Sequence, residues 1–430
     1  MIRTQKRLFV ATLLALQFSG INSFATSSQC ISSFVQTAPA AVGIPADLSI
    51  FKAATPLKNG GIAPGSKILN QKCSSICWAY GLNELVDQML LTNTGVAIET
   101  SPDHNGFWHF YFQIQNHASY FTRLANKIQS GQISLEDATR EAINLMKMRP
   151  FSKAAADAGF VVHSGSNEPT ALNEAKVIGI VPTALYDRPI VTPEQADDLD
   201  ASLKNLVSSI LSSPVRKTMF GNADADGINT PLFQLMTQKL SPVLNAASTN
   251  GRNPYRPNDT FIHTDGKTYT PITFMKSVAQ FDPDDFVDVH MTAANQAMVQ
   301  NAVVASLSLP KPIPVPIGFA IFNQEAFQKS GVASSDIVSK GPVELAGGHL
   351  TLIENVRVSG SSFVGVIFKN SWGPQGLNAN GTPTLDPNQS GYNGITSGYL
   401  KYTIQQDVGP DFLFHISVVN PNSQYSPLLQ

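Results

Sequence analysis

The chain has 430 residues, a formal net charge of −2 and 14% charged residues, well under the usual share of about a quarter. Apolar residues make up 43%, which excludes disorder over most of the length, and the near balance of charge excludes a basic nucleic-acid binder. No stretch after the first 25 residues is long and apolar enough to span a membrane, so a soluble globular protein is expected, without a nucleic-acid partner and without a span in the mature chain.

Residues 1–25 carry Arg3, Lys6 and Arg7 with no acid, then an apolar run from Leu8 to Leu16, and close with Ser23-Phe24-Ala25. This is the pattern of a secretory signal peptide, its apolar core too short for a span, and it predicts an exported protein, secreted or periplasmic. What remains is enough for one large domain with an insertion, or two to three modest ones. Residues 26–66 are rich in Ala, Pro, Gly, Ser and Thr and read as an extended arm with little regular structure. From Ser74 the pattern changes. Ile76, Ala79, Tyr80, Leu82, Leu85, Val86, Met89 and Leu90 recur at helical spacing until Asn93-Thr94-Gly95, with Ser74 or Ser75 as the expected N-cap. Further helices are predicted over 106–128 and 135–148, the latter opened by the capping pattern of Ser134 and Asp137. The middle mixes helical pieces at 198–211 and 231–244 with Gly/Pro/Asn loops. The last third is strand-like at 315–321, 350–358, 363–368 and 412–419, where Pro316 implies an edge strand or a strand start. Helices first and strands later predict an α+β protein. The expected division is 1–25 signal peptide, 26–66 arm, 67–300 helical lobe with insertion, and 301–430 β-rich lobe.

All three cysteines lie early, at Cys30, Cys73 and Cys77, and an odd count in an oxidising compartment leaves at least one thiol without an internal partner. Cys77 falls in the first turn of a helix, where the positive end of the helix dipole favours thiolate. A thiolate nucleophile also needs a base and a stabilised oxyanion. Gln71, on the loop entering the helix, is the candidate oxyanion donor beside the Cys77 N–H. Gly347-Gly348-His349 opens one strand-like run and Lys369-Asn370-Ser371-Trp372-Gly373 ends another, so adjacent strands could set Asn370 against His349 with Trp372 as a cover.

The blocks Asn70-Gln71-Lys72-Cys73-Ser74-Ser75-Ile76-Cys77-Trp78-Ala79-Tyr80, His349 and Lys369-Asn370-Ser371-Trp372-Gly373 resemble the active-site blocks of papain-like cysteine peptidases, in that family's order. The resemblance implies an α+β papain-like two-lobe fold, a helical lobe facing an antiparallel β-sheet or barrel lobe, with a large insertion. It implies Cys77 as nucleophile, His349 as acid and base, Asn370 as its orienter and Gln71 as oxyanion donor, with Trp78 and Trp372 in support and no cofactor. The Asn-Gln-Lys run, Ile98-Glu99-Thr100-Ser101-Pro102 followed by Phe107-Trp108-His109-Phe110-Tyr111, and Gly179-Ile180-Val181-Pro182 are closer to the bleomycin hydrolase and aminopeptidase C branch. Cys77 and His349 stand 272 positions apart, roughly twice the about 130–150 of the papain and cathepsin pattern, which leaves room for the insertion.

The sequence also departs from the family. Ser74 stands where the papain branch has its structural cysteine, so the usual disulfide is not expected. Ile76 is bulkier than the residue normally preceding the nucleophile and narrows the approach. Gly165-Ser166 is the candidate for the glycine pair that binds substrate backbone. The segment before Gln71 is too short for a long inhibitory propeptide.

Cys30 and Cys73 either form a disulfide tying the arm to the active-site loop or remain two thiols. The other seven histidines show no metal-ligand spacing, and no metal site is expected. Residues 222–227 imitate the start of a calcium loop, but Phe233 stands where its bidentate Glu belongs, so a polar turn is expected. The expected activity is thiol-dependent hydrolysis of peptides or proteins, as aminopeptidase or endopeptidase. In the bleomycin hydrolase branch, aminopeptidase action goes with the enzyme's own C-terminus lying in the cleft. Two other classes remain: a catalytically silent papain-fold binding module, and a thioester-forming acyltransferase or transglutaminase-type enzyme. Oligomeric state is not legible in the sequence.

Overall fold

The computed structural model describes residues 36–38, 40, 43–57, 69–71, 76–147, 168–187, 193–244, 253–339, 343–372, 376–384, 390–405 and 415–420. The signal segment, Cys30, Cys73, Ser74, Ser75, Gly165, Ser166, Gly373 and residues 421–430 lie outside the described residues.

Within the arm stand strand β1 (Gln36–Ala38), helix α1 (Leu48–Ala53) and strand β2 (Thr55–Pro56). Little regular structure was expected here, but two features fasten the arm to the β-rich half. Asp47 accepts hydrogen bonds from Ser335 N (3.1 Å), Ser335 Oγ (2.8 Å) and Gly398 N (2.7 Å), while Asp336 accepts from the N–H groups of Asp47 and Leu48. Phe51 is fully buried in space that Gly365 and Gly394 leave open: a Cβ at either would come within 2.9 or 2.6 Å of its ring.

The helical lobe follows: α2 (Cys77–Thr94), α3 (Pro102–Asn116), α4 (Ala118–Gln129), α5 (Leu135–Lys147), α6 (Glu168–Ile178), α7 (Pro193–Ser212) and α8 (Thr230–Leu244). The single helix expected over 106–128 is two. It starts earlier, because Ser101 caps the N–H of His104 with Pro102 in the first turn, and it breaks where two poor helix formers, Asn116 and His117, stand together. Ser134 caps α5 as its sequence predicts, accepting from the Asp137 N–H at 3.0 Å. Residues 222–227 form a polar turn closed by Arg256. Its guanidinium donates to both oxygens of Asp226 (2.7 Å each) and to Asp224 (3.0 Å), occupying the position between the carboxylates. Trp108, Tyr111, Phe121, Leu206 and Phe233 form the core of this lobe.

The second half comprises the hairpin β3 (Phe261–Ile262) and β4 (Thr268–Tyr269), α9 (Pro271–Ser277), β5 (Phe286–His290), α10 (Gln296–Leu307), β6 (Val315–Phe322), α11 (Gln324–Ser330), β7 (Val332–Ala333), β8 (Val343–Ser359), β9 (Ser362–Lys369), β10 (Tyr392–Thr396), α12 (Ser397–Gln405) and β11 (His415–Val419). One sheet runs β5-β11-β6-β8-β9-β10-β7, and β1 and β2 of the arm also pair with β8. Pairing is antiparallel except between β10 and β7, so the expected antiparallel sheet has one parallel edge. β6 lies inside the sheet, between β11 and β8, which removes the edge-strand alternative for Pro316. Its partners on β11 stop at Ile317, so the proline sits just before that ladder, where no N–H is required.

α2 joins the two halves. Every residue from Cys77 to Leu90 is buried, and Leu82, Leu85, Val86 and Met89 share a core with Leu350 and Leu352 of β8 and with Ala171, Phe274 and Phe281. A helix covered all round carries little amphipathic signal. The place where α2 meets β8 is where the candidate residues come together.

Candidate active site

Cys77 is the first residue of α2, and its N–H is among the helix-opening donors that have no intrahelical acceptor. One turn along, a Cβ on Gly81 would come within 2.5 Å of Leu350 Cδ2, so the absence of a side chain there lets α2 lie directly on β8. The thiol consequently sits at the backbone of Leu350, the residue after His349. Burial pushes it up to about 11, opposed by backbone hydrogen bonds from Leu350, Trp78 and Cys77 itself.

His349 lies inside β8, opposite Phe319 of β6, rather than at a strand start. Its ring meets Phe319 edge-on (5.9 Å between centroids) and lies 4.7 Å from the Trp372 ring at 32°, so aromatic surface covers it. Nε2 is 2.9 Å from Asn370 Oδ1, while Nδ1 is buried and has no hydrogen-bond partner among the described residues. Burial pulls the imidazole down to about 4, and the Asn370 hydrogen bond opposes this. Taken singly, thiol and imidazole both rest neutral near pH 7.

Asn370 follows the last residue of β9 and is held from two sides. Its N–H donates to Gly391 O (2.8 Å), and its Nδ2 donates to Asn393 Oδ1 (2.7 Å). Gln71 is brought in by the same loop. Its N–H donates to Ser371 O (2.8 Å), its neighbour Asn70 bridges Trp372, and Ser371 Oγ donates to Gln71 Oε1 at 2.7 Å. Because the amide oxygen is engaged, the NH2 group becomes the donor end of Gln71. The fold thus gathers Gln71, Asn370, Ser371, Trp372 and His349 into one network, with Cys77 against the next residue of the His349 strand.

Trp78 packs on His109 (4.7 Å between centroids), whose Nδ1 is 2.8 Å from Glu174 and whose Nε2 is 2.7 Å from Gln113 Nε2. His109 is buried, and both of its ring nitrogens are engaged beneath Trp78. Cys77 is a free thiol. The proposed Cys30–Cys73 pair and Gly165-Ser166 fall outside the described residues, and among those residues no cluster of His, Cys, Asp and Glu could hold a metal ion.

Three features were missed in the sequence. Ser371 lies within the Lys369–Gly373 block with nothing in the sequence to mark its role, and Asn393 lies in a strand that the sequence does not signal. Behind the site, Glu84 and Asp87 of α2 face Glu354 and Lys369 of the sheet, all buried. Burial drives Glu84 up to about 8, with Lys369 opposing and Glu354 and Asp87 reinforcing. Asp87 rises to about 7, again from burial, against hydrogen bonds from Thr100. Tyr392 donates to Glu354 at 3.0 Å. Nothing in a helical pattern distinguishes buried carboxylates from solvated ones, except that Glu84 and Asp87 fall among apolar neighbours.

No family model and no curated protein matches the sequence. Among solved structures, PepW from Lactobacillus rhamnosis HN001 (DR20) is similar, with 13% identity, a TM-score of 0.52 and coverage of 87% of this chain and 84% of that one. At that identity the likeness is one of fold, and it extends over both lobes. The fold is α+β and papain-like, a helical lobe against a β-sheet lobe, as the motif resemblance implied.

Proposed function

We propose that this protein is a papain-like cysteine peptidase acting on peptides or proteins. The observation that carries the reading is the hydrogen bond from His349 Nε2 to Asn370 Oδ1, which leaves Nδ1 as the ring's proton acceptor, on a residue whose chain neighbour Leu350 meets the helix-opening Cys77. The Cys77 proton passes to His349 Nδ1, and the sulfur attacks the scissile carbonyl carbon. Negative charge on the carbonyl oxygen is held by the Cys77 N–H and the Gln71 NH2. The imidazolium returns its proton to the departing amine, leaving a thioester. Water then attacks the thioester, gives one proton to His349, and releases the acid as the proton returns to sulfur. Burial raises the Cys77 thiol and lowers the His349 imidazole, which favours proton transfer over a standing ion pair as the first event. These steps require no cofactor. Residues 1–25 direct the protein out of the cytoplasm, and it works as a secreted or periplasmic enzyme.

The test is hydrolysis of fluorogenic aminoacyl and peptidyl amides by the mature protein beside Cys77→Ala. Turnover of free-amino substrates alone assigns an aminopeptidase, and turnover of N-blocked peptides assigns an endopeptidase. No hydrolysis together with amine incorporation would replace the peptidase reading by acyl transfer.

A further inference from the structure

The hydrogen bond between His349 and Asn370 works as proton-transfer machinery only in one sense. Asn370 must present its oxygen, so that His349 carries its proton on Nε2 and keeps the Nδ1 lone pair. An asparagine amide turned over would present NH2 instead, and would select the tautomer with its proton on Nδ1, where it cannot accept from a thiol. Within the pair itself, nothing decides between the two.

The decision lies one residue further out. Asn393, on β10 opposite Phe368 of β9, is buried, and its Nδ2 donates to Gly331 O at 3.1 Å. A backbone carbonyl only accepts, so this contact fixes which end of the Asn393 amide faces Gly331. Asn393 Oδ1 is then turned toward Asn370 Nδ2, at 2.7 Å, and Asn370 Oδ1 toward His349 Nε2, at 2.9 Å. The carbonyl is itself held firmly. Gly331 ends α11 in a left-handed conformation (φ +70°), and its oxygen also accepts from Gly394 N at 2.9 Å. Space for the amide depends on Gly376, where a Cβ would come within 3.1 Å of Asn393 Nδ2.

We propose that Asn393 is a positioning residue that transmits the polarity of the Gly331 carbonyl through Asn370 and so fixes His349 as the Nε2–H tautomer. The inference rests on reading Cys77 and His349 as the proton-transfer pair, and its test separates the two. Asn393→Leu keeps the branched shape of the side chain and removes both hydrogen bonds. Losing one oriented buried hydrogen bond corresponds to a fall of about 10- to 100-fold in kcat, with KM nearly unchanged. In an Asn370→Ala background the same substitution should cost nothing further, because the relay is already cut.

Nitrogen-15 NMR of histidine-labelled protein reads the tautomer without turnover. The wild type should show His349 protonated on Nε2, and Asn393→Leu should show it partly or wholly on Nδ1. Should the leucine variant fail to fold, Asn393→Ser, which cannot span both partners, carries the same expectations. Wild-type kcat and tautomer in a folded variant, or an equal loss in the Asn370→Ala background, would overturn the proposal. If the wild type hydrolyses nothing yet its tautomer shifts on substitution, the positioning role stands and the peptidase reading falls.

Discussion

Glu84 sits fully buried on the second turn of α2, where burial outweighs the attraction of Lys369 and moves its carboxyl from an ordinary 4.5 to about 8. An acid whose folded value is raised contributes stability that is complete below its unfolded value and is lost as pH rises through the folded one. Stability should therefore decline from about pH 4.5 to about pH 8. At about 1.4 kcal/mol per decade, the loss attributable to Glu84 is about 3 kcal/mol at pH 7 and approaches about 5 kcal/mol above pH 8. Glu84→Gln keeps the shape and cannot ionise. Urea unfolding of Glu84→Gln and its parent, both with Cys77→Ala to prevent self-cleavage, at about pH 5, 7 and 9 measures the difference. The variant should lie within about 1 kcal/mol of its parent at the acid end and exceed it by several kcal/mol at the alkaline end. Parallel curves would refute the argument, because they would mean that Lys369 already neutralises an ionised Glu84 in the folded protein.

Two further outcomes follow from the same structure. In the proposed mechanism His349→Ala removes the proton acceptor of Cys77, so alkylation of the thiol by iodoacetamide should rise only toward about pH 11, where the buried thiol ionises alone; a full rate near neutrality would contradict this. Phe51→Ala should cost about 3–5 kcal/mol and free the arm for limited proteolysis, and an unchanged melting temperature would mean that the arm is not part of the folded unit.

The sequence was informative where chemistry demands particular side chains. A helix-opening cysteine, a preceding glutamine, a histidine and an Asn-Ser-Trp-Gly block can be recognised without coordinates. The fold brings Gln71 to Ser371 and His349 to Asn370. The change from helically spaced apolar residues to strand-like runs rich in Val, Ile and Phe separated the helical half from the strands. What stayed hidden depended on contacts between distant segments. Asn393 lies 44 positions from His349 and acts through a second asparagine and a carbonyl, and no local pattern encodes that relay. Pro316 implies an edge strand or a strand start, and the structure gives the second: it stands at the start of β6, one residue before the β11 ladder, in a strand that lies inside the sheet. The arm's composition says loop, while its anchoring comes from Asp47, Phe51 and two glycines more than 300 positions away.

The central claim is that Cys77 becomes a nucleophile through His349. Its most direct test is labelling of the folded, reduced mature protein with an epoxide-type inhibitor of papain-like peptidases, mapped by peptide mass, beside Cys77→Ala and His349→Ala. The account predicts a single adduct on Cys77, absent from the first variant and nearly absent from the second at neutral pH. An unlabelled wild type, or equal labelling with and without His349, would contradict it.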